Sequence, residues 1–421
     1  MPRAYARTPL PEAIDRLRPG MKVLMPPGCG EPVSLVAEIC RQAARLPGLT
    51  LMGGIHLGDY PFARPEAAPL RVATWHMSPR LAAAGERVEL VPIRYFDLVT
   101  EFNRGGPWAP DCVLVHCAPP DRRGYLSLGV SVSVALPAAR RAPLVIAQVN
   151  PNMPRTLGDA CLHESQIDLA VEVDEPLLAY PPPVVSDIER AIGRSVAAIV
   201  PDGATVQVGV GAIPQAVLEA LGDHRRLALH SLLVDAAVSL VEHGVVDGSA
   251  KRFHRGRLDI AEVMGTRRVF DFVHDNALIN METSELVHDP AFVAQIDRFV
   301  AINSALEIDL TGQVTAESIG GRQVAGVGGQ FDFALGASRS RGGASVIALP
   351  STAGRDGNIS RIVHRLGSGA AVTTPRYLAD WVVTEFGAAR LRGLGTRERA
   401  TALIAVAHPR VREELERSVT S

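Results

Sequence analysis

Gln207-Val208-Gly209-Val210-Gly211-Ala212-Ile213-Pro214 decides how this chain folds. Ala204 to Val208 alternates as a strand does and runs straight into a Gly-x-Gly turn. Pro214 then opens an apolar-periodic helix over Gln215–Leu221, because proline in a first helical turn gives up only an N–H that has no intrahelical partner. Glycine lets backbone approach a ligand closely. Such a turn aims free N–H groups and a helix N-terminus at whatever binds, which suits an anion or a polarised carbonyl. A plain β–α connection that needs glycine for its backbone angles alone accounts for the same eight residues equally well.

Outward from this turn, the same punctuation occurs in the first half of the chain. Lys22 to Met25 reads as a short strand, Pro26-Pro27-Gly28-Cys29-Gly30-Glu31-Pro32 as a turn, and Val33–Leu46 as a helix by its three-to-four apolar spacing. Strands are expected at Thr50–Met52, Arg87–Ile93, Cys112–His116, Leu144–Val149 and Leu169–Val173, separated by longer segments, which is parallel α/β layering. Pro181-Pro182-Pro183 breaks the pattern, and a helix restarts with Ser186 or Asp187 as N-cap. The boundary is placed there, giving two α/β domains, 1–185 and 186–421, of related build and facing one another across a cleft. In the second, strands are expected at Leu227–Leu229, Val269–Phe272, Phe299–Asn303, Leu306–Leu310, Val346–Leu349, Ala371–Thr373 and Trp381–Thr384. The tail from Thr396 to Arg417 reads as helices interrupted by Pro409.

Bulk chemistry narrows the function. A length of 421 residues exceeds one ordinary core, and 47% apolar against 21% charged residues supplies two. A net charge of −2 and 5% aromatics leave no basic, stacking surface, so nucleic acid is not expected as a partner. Five cysteines, Cys29, Cys40, Cys112, Cys117 and Cys161, form no Cys-x-x-Cys pair and suit a reducing cytosol. No apolar run approaches a membrane span, and Met1 to Arg18 lacks the apolar core of a signal peptide, so a cytoplasmic protein without a membrane partner is expected. Lysines occur only at Lys22 and Lys251. There is no Gly-Lys-Ser/Thr phosphate loop, and neither lysine reads as the desolvated amine of a Schiff-base enzyme. No metal pattern stands out either: His163-Glu164 lacks the second histidine of His-Glu-x-x-His, and Gly-x-Ser-x-Gly is absent from an elbow context. The densest glycine stretch, Ala325 to Ala337, either presents N–H donors to a developing oxyanion or makes tight turns between strands.

Taken in order, several stretches resemble the acetyl-CoA hydrolase/CoA-transferase family, in particular its 4-hydroxybutyrate CoA-transferase-like group. They are Gly28 to Pro32, Ala118-Pro119-Pro120-Asp121 with Gly124-Tyr125, Val149-Asn150 through Met153 to Gly158, and Gly209 to Pro214. They continue through Ile302-Asn303-Ser304, Glu317-Ser318-Ile319-Gly320, Gly328-Gly329-Gln330 and Ala348 to Thr352, so that the resemblance extends over nearly the whole chain, to His408-Pro409. It implies two open α/β domains around a central cleft and an acyl-CoA thioester as substrate, so coenzyme A is bound and no metal is expected. It implies further that a glutamate attacks the thioester, that CoA is stored on it covalently, and that a small carboxylate acceptor resolves the intermediate. Carried onto this sequence, Gly209, Val210, Gly211, Ala212 and Ile213, with Gln330, line the CoA and acyl channel. Gly328 or Gly329 supplies an oxyanion N–H, and Asn303 sits close to the reacting centre. A homodimer or higher homo-oligomer is expected from the resemblance and from general frequency.

The family's run is approximately Gly-Ile-His-Ser/Thr-Glu-Met-Phe-Ser-Asp-Gly. Here it reads Ala228-Leu229-His230-Ser231-Leu232-Leu233-Val234-Asp235-Ala236, one residue shorter, and either alignment puts Leu232 or Ser231 where glutamate belongs. Three functions are compatible with that departure. The first is an acyl-CoA-processing transferase or hydrolase with a rerouted mechanism, in which His230 or Asp235 serves as base and Ser231 as nucleophile, although strand packing explains Ser231 as well. The second is a CoA-transferase whose glutamate comes from elsewhere, such as Glu31, Glu307 or Glu317. The third is a non-catalytic acyl-CoA-binding subunit. The first is preferred.

Overall fold

Parallel sheet dominates both halves of the structure, a computed structural model that describes residues 6–420; the first five residues of the N-terminal stretch read above lie outside the described residues. The chain divides into two compact units. The first comprises the residues up to Pro181 together with Asp259–Val287, and the second comprises Pro182–Leu258 and the residues from His288 onward.

The sheet of the first unit contains Ala6–Arg7 (β1), Lys22–Leu24 (β2), Thr50–Gly53 (β3), Arg71–Thr74 (β4), Val88–Leu90 (β5), Cys112–Cys117 (β6), Val145–Val149 (β7) and Leu169–Glu172 (β8). They lie in the order β1-β8-β7-β6-β2-β3-β4-β5, every pair parallel, with Val23 opposite both Leu51 and Cys112. All residues of β6 and β7 are buried, as a parallel strand covered on both faces requires. Helix α1, Val33–Arg41, contributes Leu35, Val36 and Ile39 to a core with Val23, Leu51, Phe62 and Leu114.

In the second unit the strands Thr205–Val208 (β9), Ala228–Leu233 (β10), Phe299–Ser304 (β11), Ala344–Ala348 (β12), Trp381–Thr384 (β13) and Gly387–Arg390 (β14) run in the order β10-β9-β11-β12-β13-β14. The pairs are parallel except the last, a β13–β14 hairpin. Helix α2, Asp187–Ala197, begins on a capping box in which Ser186 and Glu189 satisfy one another's backbone N–H groups. Helix α3, Ala212–Ala220, follows the Gly-x-Gly turn, α4, Asp235–Glu242, follows β10, and α5, Gln330–Arg339, follows the glycine-rich loop. The tail forms Thr396–Ala405 and Pro409–Thr420, with Pro409 starting the second helix.

Several expectations are corrected. Residues 269–272 are not a strand but part of the helix Arg267–Val273, whose first turn is capped by the Thr266 hydroxyl at Arg268 N–H. Short apolar runs carry no periodicity long enough to separate the two states. Residues 371–373 form no strand, only the neighbouring isolated bridge Val314↔Thr374. Lys251 is buried rather than lying in an open polar stretch: the 248–257 loop closes through Gly256 N–H to Gly248 carbonyl, and the ammonium donates to Arg257 carbonyl at 3.0 Å.

Candidate active site

The connections of the second unit create a site at the carboxyl ends of its central strands. From β9 the chain passes through α3 to β10 on one side, whereas from β11 it goes on to β12 on the other. The winding reverses between β9 and β11, and in open parallel sheets ligands bind outside the carboxyl ends of the strands at that reversal. A hydrogen bond spans it: Asn303 Nδ2 on β11 donates to Gln207 Oε1 on β9 at 3.2 Å. Gln207 is buried and lies in register with both Ala301 and His230. The sheet therefore brings Gln207, Gly209, His230, Ser231 and Asn303 to the same end of three adjacent strands.

The glycines there differ in what demands them. Gly211 caps α3 with φ 118° and ψ −179°, a region essentially closed to other residues. Gly209 has no positive φ, and a Cβ built on it meets nothing within 4 Å; neither its backbone nor its packing requires glycine. Gly328 has φ 56° and also faces open space. Gly329 is a packing glycine, since a Cβ there would approach Phe333 Cε2 to 2.6 Å and His288 Cδ2 to 2.7 Å. Val210 and Ala212 are half-buried and Ile213 is buried in the first turn of α3. Gln330 begins α5 with its amide donating to Thr374 Oγ1 at 3.1 Å, so its side chain is engaged within the unit.

His230 is fully buried and packs edge-on against Phe299 and Phe333, with ring centroids 5.2 Å and 5.9 Å away. His288 joins this cluster 4.8 Å from Phe333, and burial, with His230 nearby, drives its pKa down to about 3. It is neutral at physiological pH. Ser231 is buried with φ 76°, a left-handed conformation inside a strand that a serine adopts only at a cost of roughly 1–3 kcal/mol. The following Leu232 is half-buried, and Asp235 is buried in the first turn of α4.

Of the other carboxylates considered, Glu317 is held at both oxygens, by Thr373 Oγ1 at 2.9 Å and Gln323 Nε2 at 3.1 Å. Glu307 is half-buried in the strand Glu307–Asp309, where its charge acts on Arg361. Glu31, in the first unit, is buried and accepts the Leu57 N–H. One further acid, Glu262, is not flagged by any local motif. Its only signal in sequence is an acid inside the apolar run Ile260-Ala261-Glu262-Val263. Among the described residues no group of three or more His, Cys, Asp or Glu is arranged to hold a metal ion, and no helix is long and apolar enough to cross a membrane.

Comparison with known proteins agrees with this architecture. Residues 3–180 match the acetyl-CoA hydrolase/transferase N-terminal domain and residues 265–419 the corresponding C-terminal domain. The chain is 40% identical to 4-hydroxybutyrate coenzyme A transferase of Clostridium kluyveri over 96% of its length and 95% of the relative's. The crystal structure of RipA from Yersinia pestis superposes with a TM-score of 0.92 at 33% identity, covering 99% of this chain and 97% of that one. The 4-hydroxybutyrate CoA-transferase of Porphyromonas gingivalis superposes with a TM-score of 0.84 at 34% identity and the same coverage. With both domains matched, and with the sheet order, the turn at Gly209 to Pro214 and these likenesses spanning nearly all of its length, the chain belongs to the acetyl-CoA hydrolase/transferase family.

Proposed function

We infer that the protein is an acyl-CoA-processing transferase that moves CoA, or the acyl group, from an acyl thioester to a small carboxylate acceptor. The observation that carries this reading is the 40% identity, over 96% of the chain, to an enzyme named for CoA transfer. The site is compatible with it. A thioester needs a surface that backbone can approach and N–H donors for its carbonyl. The turn Gly209 to Ile213 leaves open space at Gly209 and Gly211 beside the start of α3, and Gly328 offers a second open backbone edge. In this reading Gly209, Val210, Gly211, Ala212 and Ile213 line the CoA and acyl channel, Gly328 contributes the oxyanion N–H, and Asn303, oriented by Gln207, faces the reacting carbonyl. Gly329 serves the packing of α5 instead.

The segment from His230 to Asp235 contains no glutamate, so the nucleophile that the family resemblance implies is not at that position. Ser231 is the residue there with a nucleophilic group, and its strained backbone is of a kind found at functional sites. Enclosure of His230 among Phe299 and Phe333 supports a packing role for the imidazole rather than a base. Five free cysteines support a reducing compartment, hence the cytoplasm, and a homodimer or higher homo-oligomer is the expected assembly.

The test is mass spectrometry of CoA species after incubation with a panel of acyl-CoAs, with and without small carboxylates. New acyl-CoAs that appear only with an added carboxylate establish CoA transfer. Free CoA without a new acyl-CoA identifies a hydrolase, and binding without consumption overturns the enzymatic reading.

A further inference from the structure

The strand Leu258–Val263, which belongs to the first unit from Asp259 onward, runs antiparallel to the segment Val130-Ser131-Val132-Ser133. Val263 N–H donates to Val130 carbonyl, and Val132 and Ser133 N–H to Ala261 carbonyl, so that Ser131 and Glu262 face one another in a bridge. The hydroxyls of Ser131 and Ser133 both donate to one atom, Glu262 Oε1, the first at 3.1 Å. Among the described residues Oε2 has no hydrogen-bond partner, and Glu262 is half-buried rather than sealed. The Gly28–Gly30 turn abuts the same patch: a Cβ on Gly30 would lie 2.3 Å from Ser131 Cβ. That turn follows β2, at the point where the winding of this unit's sheet reverses between β2 and β6.

We propose that Glu262 is the carboxylate on which this enzyme carries CoA covalently. The proposal rests on the acyl-CoA-transferase reading above. One oxygen is fixed by two serine hydroxyls and the other is left free to bond. Glu317, by contrast, has both oxygens engaged.

The chemistry balances without a further reactant. An Oε2 lone pair adds to the thioester carbonyl carbon and the C–S bond breaks, giving an acyl–glutamyl anhydride and CoA thiolate. The thiolate adds to the Glu262 carbonyl carbon and the anhydride C–O bond breaks, so the donor leaves as a carboxylate and CoA remains as a glutamyl thioester. An acceptor carboxylate runs the two steps in reverse and leaves as the new acyl-CoA. Ser131 and Ser133 are positioning residues that hold Oε1 throughout.

The groups that face this carboxyl are Cys29 and Tyr95 as well as the two serines. Burial raises the Cys29 thiol to about 12 and pushes the Tyr95 phenol up, so both are neutral at physiological pH. Burial, opposed by the two serine hydrogen bonds, pushes Glu262 up to about 8. The reactive carboxylate therefore accumulates as pH rises towards 8, and the exchange rate should climb about tenfold per pH unit below it and level off above.

The experiment uses the full chain incubated with butyryl-CoA, followed by borohydride trapping and peptide mass spectrometry, alongside exchange rates of Glu262→Gln and of the double variant Ser131→Ala/Ser133→Ala. Modification of the peptide at Glu262 and a loss of about 10⁴-fold or more in Glu262→Gln are expected. The serine double variant should retain exchange with its pH profile displaced upward, because both hydrogen bonds lower the carboxyl pKa. Modification at Glu31 or any other residue, or Glu262→Gln exchanging within tenfold of the parent, overturns the assignment while the transferase reading stands. A parent protein that consumes no acyl-CoA with any carboxylate overturns both. Should Glu262→Gln fail to fold, the site of modification on the parent protein decides alone.

Discussion

Glu262→Gln should change the pH dependence of stability in a way that is independent of any activity. Burial raises the carboxyl from its ordinary 4.5 to about 8 in the folded protein. The sign follows from proton counting. Between these two values the unfolded chain has released the proton and the folded protein still holds it, so stability falls as pH rises through that window. Each unit of difference is worth about 1.4 kcal/mol, so the full displacement removes on the order of 5 kcal/mol between pH 4.5 and pH 8, and nothing further above. Glutamine keeps the Oε1 acceptor for Ser131 and Ser133 and does not titrate. The two proteins should match within about 1 kcal/mol at pH 4.5, whereas above pH 8 the variant should be the more stable by several kcal/mol. In a unit of this size about 1 kcal/mol moves a melting temperature by roughly 2–4 °C, so thermal melts at pH 8.5 should separate by about 10 °C or more. Equal separation at both pH values, or a less stable variant at pH 8.5, would refute the burial argument.

Further perturbations address the second unit. Ser231→Gly should relieve the φ of 76°, raising stability by roughly 0.5–1 kcal/mol in urea unfolding, while Ser231→Ala should not; full activity in Ser231→Ala would eliminate the hydroxyl as a nucleophile. Gly209→Ala should leave the urea midpoint nearly unchanged, because no atom lies within 4 Å of the added methyl. Its KM for acyl-CoA should rise about tenfold or more if the backbone there meets substrate, and an unchanged KM would place the channel elsewhere. Gly211→Ala should cost about 1–3 kcal/mol from its backbone angles alone, a value that denaturant titration can check. Gly329→Ala should overpack Phe333 and His288 and cost about 1–3 kcal/mol; a neutral result would show that α5 shifts to make room.

What the linear chain determined by itself is whatever short-range physics decides. Pro214 and the glycines mark the entry to α3, and Ser186 with Glu189 marks the start of α2, because a cap and a turn are satisfied within a few residues. Continuous apolar runs such as Cys112–Val115 announced parallel strands, since burial on both faces favours apolar residues at successive positions. The family was legible for a related reason: the turns that shape such a site are contiguous stretches. Residues 269–272 were not legible, because four residues fit a helix or a strand until Thr266 caps one of them. Glu262 was hidden for a deeper reason. The hydroxyls that hold its carboxyl lie 131 and 129 residues away in the chain, and the burial that raises its pKa exists only once the strand Leu258–Val263 has paired with the segment around Ser131. Periodicity and capping act within a few residues, whereas desolvation and side-chain pairing depend on which distant segments pack together, and only the tertiary structure decides that.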